Sequence, residues 1–405
     1  MFPISNMRFV GGVLLIAGTT IGAGMLALPV ITSFGGFFPS VLIFLVCWLL
    51  MLCSAFFFLD VNLSVEGESN LISMVGKTLG NKGKVLSWIL YLLLMYALVA
   101  AYISASAPLF EKALFALTGF TVPATLSRLC LPFVFGSFIY LGTRGVDYIN
   151  RLLMFGLILS YLVLIGFVPA HIQYSLLEHI DFSASLVSIP IVLTAFGYHI
   201  VIPSLTTYLQ HDVKLLRKTI IVGSIIPILI YIIWQVIVLG VVPQSYLSQA
   251  WIHGSIASDP LAAVLKNPFI GKSALFFSFF ALVTSFLGVS LSLSDFLRDG
   301  LTLKKSWEGR LAAFSLTFIP PLVFVFSSER GFYLALQYAG IIVAILLGIL
   351  PCIMAWQLKR NRFYQSIKGK VLLCFVILLC LFVIGLDVME KQGALRVLIS
   401  SYLES

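Results

Sequence analysis

Apolar residues occupy the chain in repeated runs of about 20 positions, and short polar segments separate one run from the next. A helix of about 20 apolar residues is long enough to cross the hydrocarbon of a bilayer. The alternating pattern that is typical of membrane β-barrel strands does not occur. The sequence therefore predicts an all-α membrane protein with eleven spans, at residues 9–32, 37–59, 85–109, 129–141, 152–170, 186–208, 219–242, 273–296, 311–326, 332–356 and 371–388.

The composition of the chain also points to the membrane. Of the 405 residues, 60% are hydrophobic and 10% are charged, whereas a soluble domain carries about 25% charged residues. A soluble globular enzyme is excluded because so few charged side chains cannot cover its surface, and the apolar content excludes disorder. The longest predicted connection, residues 243–272, is too short for a separate soluble domain. Residues 1–405 are therefore predicted to form a single transmembrane domain.

Lysine and arginine are distributed unevenly between the two predicted sides. If the N-terminus is cytoplasmic, 18 of the 25 basic residues lie in inside segments and seven lie outside. Cytoplasmic loops of membrane proteins carry such an excess. We expect a cytoplasmic N-terminus and, with eleven spans, a C-terminus on the outside. The same excess accounts for the net charge of +9 without a nucleic-acid partner.

The first and sixth predicted spans contain helix-breaking residues in their middle. Span 1 reads Ala17-Gly-Thr-Thr-Ile-Gly-Ala-Gly24 before Pro29, and span 6 reads Thr194-Ala-Phe-Gly-Tyr-His199 before Pro203. A broken membrane helix is tolerated only where it is buried in protein or lines a wet cavity. Interrupted spans at corresponding places of two halves point to the binding site of a secondary transporter. We expect spans 1–5 and 6–10 to form inverted repeats, with span 11 appended.

Glycines in membrane helices have a second use, because they permit close packing between helices. For the glycines of span 1 alone, packing and unwinding are equally consistent with the sequence, and the matching break in span 6 favours unwinding. Packing is the interpretation for Gly11, Gly12, Gly156, Gly340 and Gly348.

The broken ends predict the kind of substrate. The N–H groups from Gly22 to Gly24 favour an anion, and the freed carbonyls near Gly18 and Ala195 favour a cation. Such a site suits a zwitterionic amino acid and needs no charged side chain. The candidate substrate-binding residues are Gly18, Thr19, Thr20, Gly22, Ala23, Gly24, Ala195, Phe196, Gly197, Tyr198, His199 and Ser285, with Tyr102 and Phe279 as further aromatic walls.

Two alternatives are open for a coupling cation. His199 lies near the middle of span 6, where an ionisable side chain is a functional candidate and is able to carry a proton. Ala281, Thr284 and Ser285 share one face of span 8 at i, i+3, i+4 spacing, and their oxygen atoms are suitable sodium ligands. The hydroxyls of Thr284 and Ser285 are equally able to bond to carbonyls of their own helix.

Three strings in this chain resemble the hydroxy and aromatic amino acid permease family, and within it the tyrosine/tryptophan-specific permeases of the amino acid–polyamine–cation superfamily. They are Gly18-Thr-Thr-Ile-Gly-Ala-Gly-Met-Leu-Ala-Leu-Pro29, Phe196-Gly-Tyr-His199 with Ile-Pro203-Ser204, and Thr284-Ser-Phe-Leu-Gly288 with Asp295-Phe-Leu-Arg-Asp299. The resemblance implies a LeuT-type fold, amino acid uptake across a bacterial inner membrane and, in most members, proton coupling. The span 8 pattern also resembles the sodium site of sodium-coupled LeuT-fold transporters.

Other classes of membrane protein fit the sequence less well. An integral-membrane enzyme would need a cluster of catalytic or metal-binding side chains near one interface, and the five histidines are scattered along the chain. A channel usually carries pore-lining repeats or charged rings, and a primary pump needs a nucleotide-binding loop. The expected partners are an aromatic amino acid, a coupling cation and the bilayer, with no cofactor and no obligate protein partner.

Overall fold

In a computed structural model of the chain, the described residues are 4–65, 70–141, 143–304, 306–328, 330–358 and 361–403, and they form helices without a β-strand. Within this described part, nine helices are long and apolar enough to cross a membrane. Two shorter apolar helices, Met7–Thr20 and Ala124–Tyr140, coincide with predicted spans 1 and 4. Each of the eleven predicted spans therefore corresponds to an apolar helix. Three of the basic residues counted as cytoplasmic, Lys305, Lys359 and Arg360, lie outside the described residues.

Span 1 and span 6 are both broken in the middle, as the sequence predicts. Span 1 runs from the helix Ile4–Thr20 through a 3₁₀ turn at Ala23–Leu26 to the short helix Leu28–Thr32. Span 6 consists of Phe182–Ser185, a 3₁₀ turn at Leu186–Ser188, Ile189–Thr194, a 3₁₀ turn at His199–Val201 and Ile202–Tyr208. The gaps at residues 21–22 and 195–198 coincide with the glycine-containing strings, because glycine stabilises a helix poorly.

The remaining spans are longer and more regular. Span 2 is Phe37–Ser64, span 3 lies within Leu71–Thr118, span 4 is Ala124–Val134 with Gly136–Leu141, and span 5 is Thr143–Phe167. Span 7 is Val213–Leu239, span 8 is Pro268–Gly300, span 9 is Trp307–Ser327, span 10 is Gly331–Val343 with Ala344–Ile349 and Leu350–Trp356, and span 11 is Ile367–Lys391. Gly80 divides the 48-residue helix before span 3, since its φ of 75° is not helical.

Prolines inside spans leave backbone carbonyls without an α-helical partner, and side chains of neighbouring helices donate to these carbonyls. Pro320 has no N–H for the carbonyl of Leu316, and the Tyr96 hydroxyl donates to that oxygen at 2.9 Å. Span 10 forms a π-helical turn over Ala344–Ile349 just before Pro351. The Ser54 hydroxyl of span 2 donates to the carbonyl of Leu347, four residues before this proline. Breaks in the spans are therefore stabilised by cross-helix hydrogen bonds.

The five glycines that the sequence assigns to helix packing do contact neighbouring helices. An added Cβ would lie 2.6–2.8 Å from the nearest atom at three of them and closer still at the other two. The nearest neighbours are Tyr208 for Gly11, Leu205 and Thr219 for Gly12, Phe280 for Gly156, Pro190 for Gly340 and Cys380 for Gly348. This prediction is confirmed.

The connection between spans 7 and 8 forms two short helices: Gln244–Ile252 packs over the second half of span 1, and Ser258–Val264 packs against span 8. The N–H of Ala257 donates to the carbonyl of Leu26 at 3.0 Å. Nearby, the C-terminal helix Arg396–Leu403 reaches the start of span 6, where the Tyr402 hydroxyl donates to Asp181 at 2.9 Å. On this side of the break, residues 25–32 of span 1 are completely covered.

The Asp181 carboxylate caps the first helix of span 6. Partial burial would raise its pKa, but hydrogen bonds from the backbone N–H of Ala184, the Tyr402 hydroxyl and the N–H of Ser183 outweigh this and hold the pKa below its usual value. The charged form is therefore the one that these donors stabilise.

A second carboxylate joins three elements on the opposite side of the molecule. Asp60, near the end of span 2, accepts from Arg217 of span 7 at 3.0 Å and from the Tyr364 hydroxyl at 2.5 Å. Tyr364 belongs to the short helix Arg362–Gln365 between spans 10 and 11. The carboxylate therefore connects the ends of spans 2 and 7 to the segment that precedes span 11.

Close packing at Gly340 generates a testable prediction. An added Cβ at Gly340 would lie 2.3 Å from the Pro190 carbonyl oxygen, which is backbone and cannot move aside by rotation. We expect Gly340→Ala to destabilise the protein by about 1–3 kcal/mol, the usual range for overpacking. The measurement is the thermal unfolding midpoint of the purified protein in detergent. Gly385→Ala is the matched control, because a Cβ there meets no neighbour; equal midpoints for the two variants would contradict the prediction.

Candidate functional site

A cavity of about 450 Å³ lies at the two breaks. Span 1 contributes both the end of its first helix and the unwound segment, and span 6 contributes residues on both sides of its break. Spans 3, 5, 8 and 10 complete the wall. The lining residues are Leu14, Leu15, Gly18, Thr19, Thr20, Ile21, Gly22, Gly24, Leu94, Met95, Leu98, Tyr102, Asn150, Met154, Ile191, Thr194, Ala195, Gly197, Ile200, Val201, Thr284, Ser285, Gly288, Val289, Ser292, Leu336, Val343 and Leu347.

The structure brings most of the sequence-predicted residues together around this cavity and leaves some behind it. Lining the cavity are Gly18, Thr19, Thr20, Gly22, Gly24, Tyr102, Ala195, Gly197, Thr284 and Ser285. Outside the lining lie Ala23, Phe196, Tyr198, His199, Phe279 and Ala281, each buried or half-buried among neighbouring helices. The described part of the wall is built from backbone, aliphatic and thioether side chains, hydroxyl groups and the Asn150 amide, with Tyr102 as its aromatic ring.

Ser285 of span 8 contacts the break in span 1 directly. Its hydroxyl oxygen accepts a hydrogen bond from the N–H of Ala23 at 2.9 Å. A Cβ on Gly22 would lie 2.7 Å from the same oxygen. The absence of a side chain at Gly22 therefore lets Ser285 reach the N–H groups at the start of the second half of span 1.

Two of the proposed sodium ligands make hydrogen bonds within the protein. The Thr284 hydroxyl donates to carbonyls of its own helix, Phe280 at 2.8 Å and Ala281 at 3.2 Å, as threonine does locally in membrane helices. The Ser285 oxygen accepts from the N–H of Ala23, which belongs to another span. The Thr284 oxygen therefore keeps its lone pairs, and one lone pair of the Ser285 oxygen is taken by the Ala23 N–H.

His199 is fully buried behind the cavity wall. Its ring stacks on Tyr198 with a centroid distance of 5.3 Å and meets Phe58 of span 2 edge-on at 6.0 Å. The 3₁₀ turn at His199–Val201 follows the break directly and turns these rings away from the cavity towards span 2. Any influence of His199 on a substrate would therefore act through the backbone of span 6.

Span 7 supplies a group of residues that the sequence reasoning missed. The Tyr231 hydroxyl lies 2.6 Å from the carbonyl oxygen of Thr20 and 3.0 Å from that of Ala195, so one side chain bridges both breaks. The Trp234 indole N–H donates to the Met25 carbonyl at 3.1 Å.

In a continuous helix the carbonyl of Met25 would accept from the N–H of the residue four positions later, which is Pro29 and has no N–H. The Trp234 indole takes the place of this missing donor. The next residue of span 7 bonds to the same half of span 1, since the Gln235 amide donates to the Thr32 hydroxyl. The signal for these donors was present in the sequence: Tyr231, Trp234 and Gln235 have i, i+3, i+4 spacing on an otherwise apolar helix.

Asn150 is another cavity residue that the sequence reasoning missed. It lies in span 5, two turns into the helix, and borders the cavity. Its side-chain oxygen is buried and has no hydrogen-bond partner among the described residues. Buried polar atoms are nearly always paired, so this oxygen is a candidate acceptor for a ligand.

The cavity extends from the breaks mainly towards the side on which span 1 begins. It reaches Leu14 and Leu15 in the first half of span 1, Asn150 near the start of span 5 and Ser292 near the end of span 8. In the other direction, residues 25–32 of span 1 are covered by neighbouring helices. The site is therefore accessible from the side on which span 1 begins and closed from the side on which it ends.

Comparison with solved structures shows a known fold for this arrangement. The structure of MhsT in complex with L-phenylalanine superposes with a TM-score of 0.61, covers 94% of this chain and 98% of that one, and shares 14% sequence identity. The fold is the LeuT type, as the sequence resemblance implies. At this sequence identity the likeness shows the fold alone.

Sequence comparison identifies the family. The chain is 35% identical to tyrosine-specific transport system 1 of Haemophilus influenzae over 96% of its own length and 98% of that protein. It is 31% identical to a tryptophan-specific transport protein of Pseudomonas aeruginosa over 89% of this chain and 88% of that one. The sequence profile of the tryptophan/tyrosine permease family matches residues 5–387. The chain belongs to this family, which confirms the resemblance seen in the three strings.

The open space at Gly24 allows the cavity to be filled without disturbing the fold. Gly24 borders the cavity, and a Cβ there meets no atom within 4 Å. We expect Gly24→Leu to weaken L-tyrosine binding about 100-fold or more, because the leucine side chain would occupy the substrate volume. Equilibrium binding to purified protein in nanodiscs measures this.

Gly166→Leu is the control for the Gly24 variant, since Gly166 is exposed on span 5 and an added Cβ there also has open space. We expect it to bind L-tyrosine like the wild type. Normal binding by Gly24→Leu would show that the substrate lies elsewhere.

Proposed function

We propose that the chain is a secondary active symporter that imports aromatic amino acids, tyrosine or tryptophan, across the bacterial inner membrane by alternating access. The observation that carries this proposal is the cavity at the two breaks, whose lining, among the described residues, includes exposed backbone and polar hydroxyls but no charged side chain. A zwitterion needs an anion site and a cation site, and helix ends supply both through backbone dipoles.

The ends of the substrate are assigned by these dipoles. We place the carboxylate at the N–H groups around Gly22 and Gly24, at the start of the second half of span 1. The ammonium group lies towards the carbonyl ends of the first half of span 1 and of span 6, near Thr19 and Thr194. Thr19, Gly22, Gly24 and Thr194 all border the cavity, which supports this orientation.

The remaining cavity wall suits a large apolar side chain. Leu98, Met95 and Met154 face the same space as Tyr102. Thioether sulfur atoms make favourable contacts with aromatic rings, and an aromatic pair contributes about 0.5–1.5 kcal/mol. The unpaired Asn150 oxygen is placed to accept a hydrogen bond from a phenol or an indole N–H.

The predicted orientation assigns the accessible side of the cavity. With a cytoplasmic N-terminus, the accessible side of the cavity is the cytoplasmic one, and the structure corresponds to an inward-open conformation. An importer releases its substrate from this conformation. The helix Gln244–Ile252 then closes the outer side over span 1.

For the coupling ion we propose the proton. The family resemblance favours it, and His199 is a titratable side chain at the break of span 6. The alternative is sodium at Ala281, Thr284 and Ser285, where one lone pair of the Ser285 oxygen is at present taken by the Ala23 N–H. A zwitterion carries no net charge, so one cotransported charge at 100 mV supplies about 2.3 kcal/mol for accumulation.

Uptake into proteoliposomes tests the substrate class. We expect unlabelled tyrosine, tryptophan and phenylalanine to compete with labelled tyrosine, and leucine, glutamine, lysine and glutamate to compete about tenfold less well, because the wall offers apolar contact without a counter-charge. Equal competition by leucine or lysine would contradict an aromatic-selective site. Liposomes that contain the Gly24→Leu variant give the background.

Uptake as a function of external pH in sodium-free buffer tests the coupling ion. We expect a proton gradient to drive uptake without sodium, and His199→Gln to flatten the pH profile, because glutamine cannot take up a proton. His253→Gln is the matched control, since His253 is exposed in the connection between spans 7 and 8. If uptake needs sodium and does not respond to the proton gradient, sodium is the coupling ion and the proton is not. A pH profile unchanged by His199→Gln would remove His199 as the carrier.

A further inference from the structure

The Tyr231 hydroxyl occupies a position between two broken helix ends. Tyr231 is 1% exposed, and its ring is held by Phe44 of span 2 and Phe196 of span 6 at centroid distances of 6.3 and 5.5 Å. Its hydroxyl reaches the carbonyls of Thr20 and Ala195, which close the first half of span 1 and the first half of span 6. These rings fix the position of the hydroxyl between the two ends.

Both carbonyls have lost the partner that a continuous helix would provide. An α-helix would pair the oxygen of Thr20 with the N–H of Gly24 and that of Ala195 with the N–H of His199, and both breaks prevent this. The C-terminal end of a helix carries a partial negative charge. Two such ends that converge on one point repel each other unless a positive group lies between them.

We propose that the hydroxyl proton of Tyr231 takes the place of a bound cation between the broken ends of spans 1 and 6 and so holds the substrate site in its binding geometry. Tyr231 is then a positioning residue, because it does not line the cavity. The proposal rests on the proposed function only for the identity of the ligand. The hydroxyl has one proton for two acceptors, and each carbonyl keeps a second lone pair for the substrate ammonium.

The surroundings of Tyr231 show why a neutral donor is sufficient. Phe44 and Phe196 pack against the ring of Tyr231, and the residue is almost completely buried. A tyrosine brings its proton with it and needs no ion from solution.

The first test is equilibrium binding of L-tyrosine and L-tryptophan to protein in nanodiscs. Tyr231→Phe removes the hydroxyl and keeps the ring, and we expect it to raise the Kd at least tenfold. Tyr161→Phe is the matched control: the Tyr161 hydroxyl also donates to a backbone carbonyl, that of Ile230 at 3.0 Å, but on an unbroken helix. We expect that variant to change the Kd less than twofold. A Kd for Tyr231→Phe within twofold of wild type, or an equal loss in both variants, would overturn the proposal.

The second test asks whether a cation is the group that Tyr231 replaces. The quantity to compare is the Kd of Tyr231→Phe divided by the Kd of wild type. We expect this ratio to be several-fold smaller in lithium chloride than in choline chloride, since a small cation then compensates the two carbonyls. A ratio that is the same in both salts would overturn the cation-replacement part of the proposal.

The third test uses no ligand and separates the proposal from the proposed function. Hydrogen exchange by mass spectrometry reports the backbone around residues 20–26 and 195–201. We expect exchange there to be faster in Tyr231→Phe than in wild type and unchanged in Tyr161→Phe. Unchanged exchange in Tyr231→Phe would overturn the proposal that Tyr231 holds the two broken ends in place. If wild type binds neither amino acid, the proposed function fails, and the exchange result still decides the role of Tyr231.

Discussion

The structure depends on one constraint: a backbone carbonyl that loses its helical partner inside a bilayer must find another hydrogen-bond donor. An unpaired polar group in hydrocarbon costs several kcal/mol. Tyr96, Ser54 and Trp234 donate to carbonyls that prolines leave free, and Tyr231 donates at the two breaks. Because each donor belongs to a different span from its acceptor, every break also fastens two spans together.

The same constraint explains why the cavity lies where it does. Donors from span 7 approach spans 1 and 6 from behind, so the opposite side of each break stays open to the cavity. Ser285 then covers one N–H group at the front, that of Ala23, and leaves Gly22 and Gly24 bordering the open volume. Backbone polarity is thus satisfied on the buried side of the breaks and available on the cavity side.

The sequence was informative where a pattern is local. The apolar runs gave the spans, and the glycine and proline strings gave both breaks within a few residues. The direction of a side chain after a break was not predictable, because an unwound segment has no fixed periodicity. Behind the wall lie three residues that the sequence placed in the site, Phe196, Tyr198 and His199. The wall instead contains Met95 and Met154, which no sequence motif marks.

Contacts between distant spans were also beyond the sequence. Nothing in span 7 indicates that Tyr231 meets Thr20 and Ala195, which are 211 and 36 positions away along the chain. The spacing of Tyr231, Trp234 and Gln235 marks a polar face, but its partners depend on how the helices pack. The first part of the helix Leu71–Thr118 was not predicted, because residues 71–84 are too polar for a membrane span.

The attachment of Arg217 to Asp60 means that span 7 is held near both of its ends. Arg217 and Gln235 are 18 positions apart on the helix Val213–Leu239, which corresponds to about 27 Å at 1.5 Å per residue. Arg217 ties one end to span 2 through Asp60, and Trp234 and Gln235 tie the other end to the second half of span 1. The length of span 7 therefore sets the distance between these two attachment points.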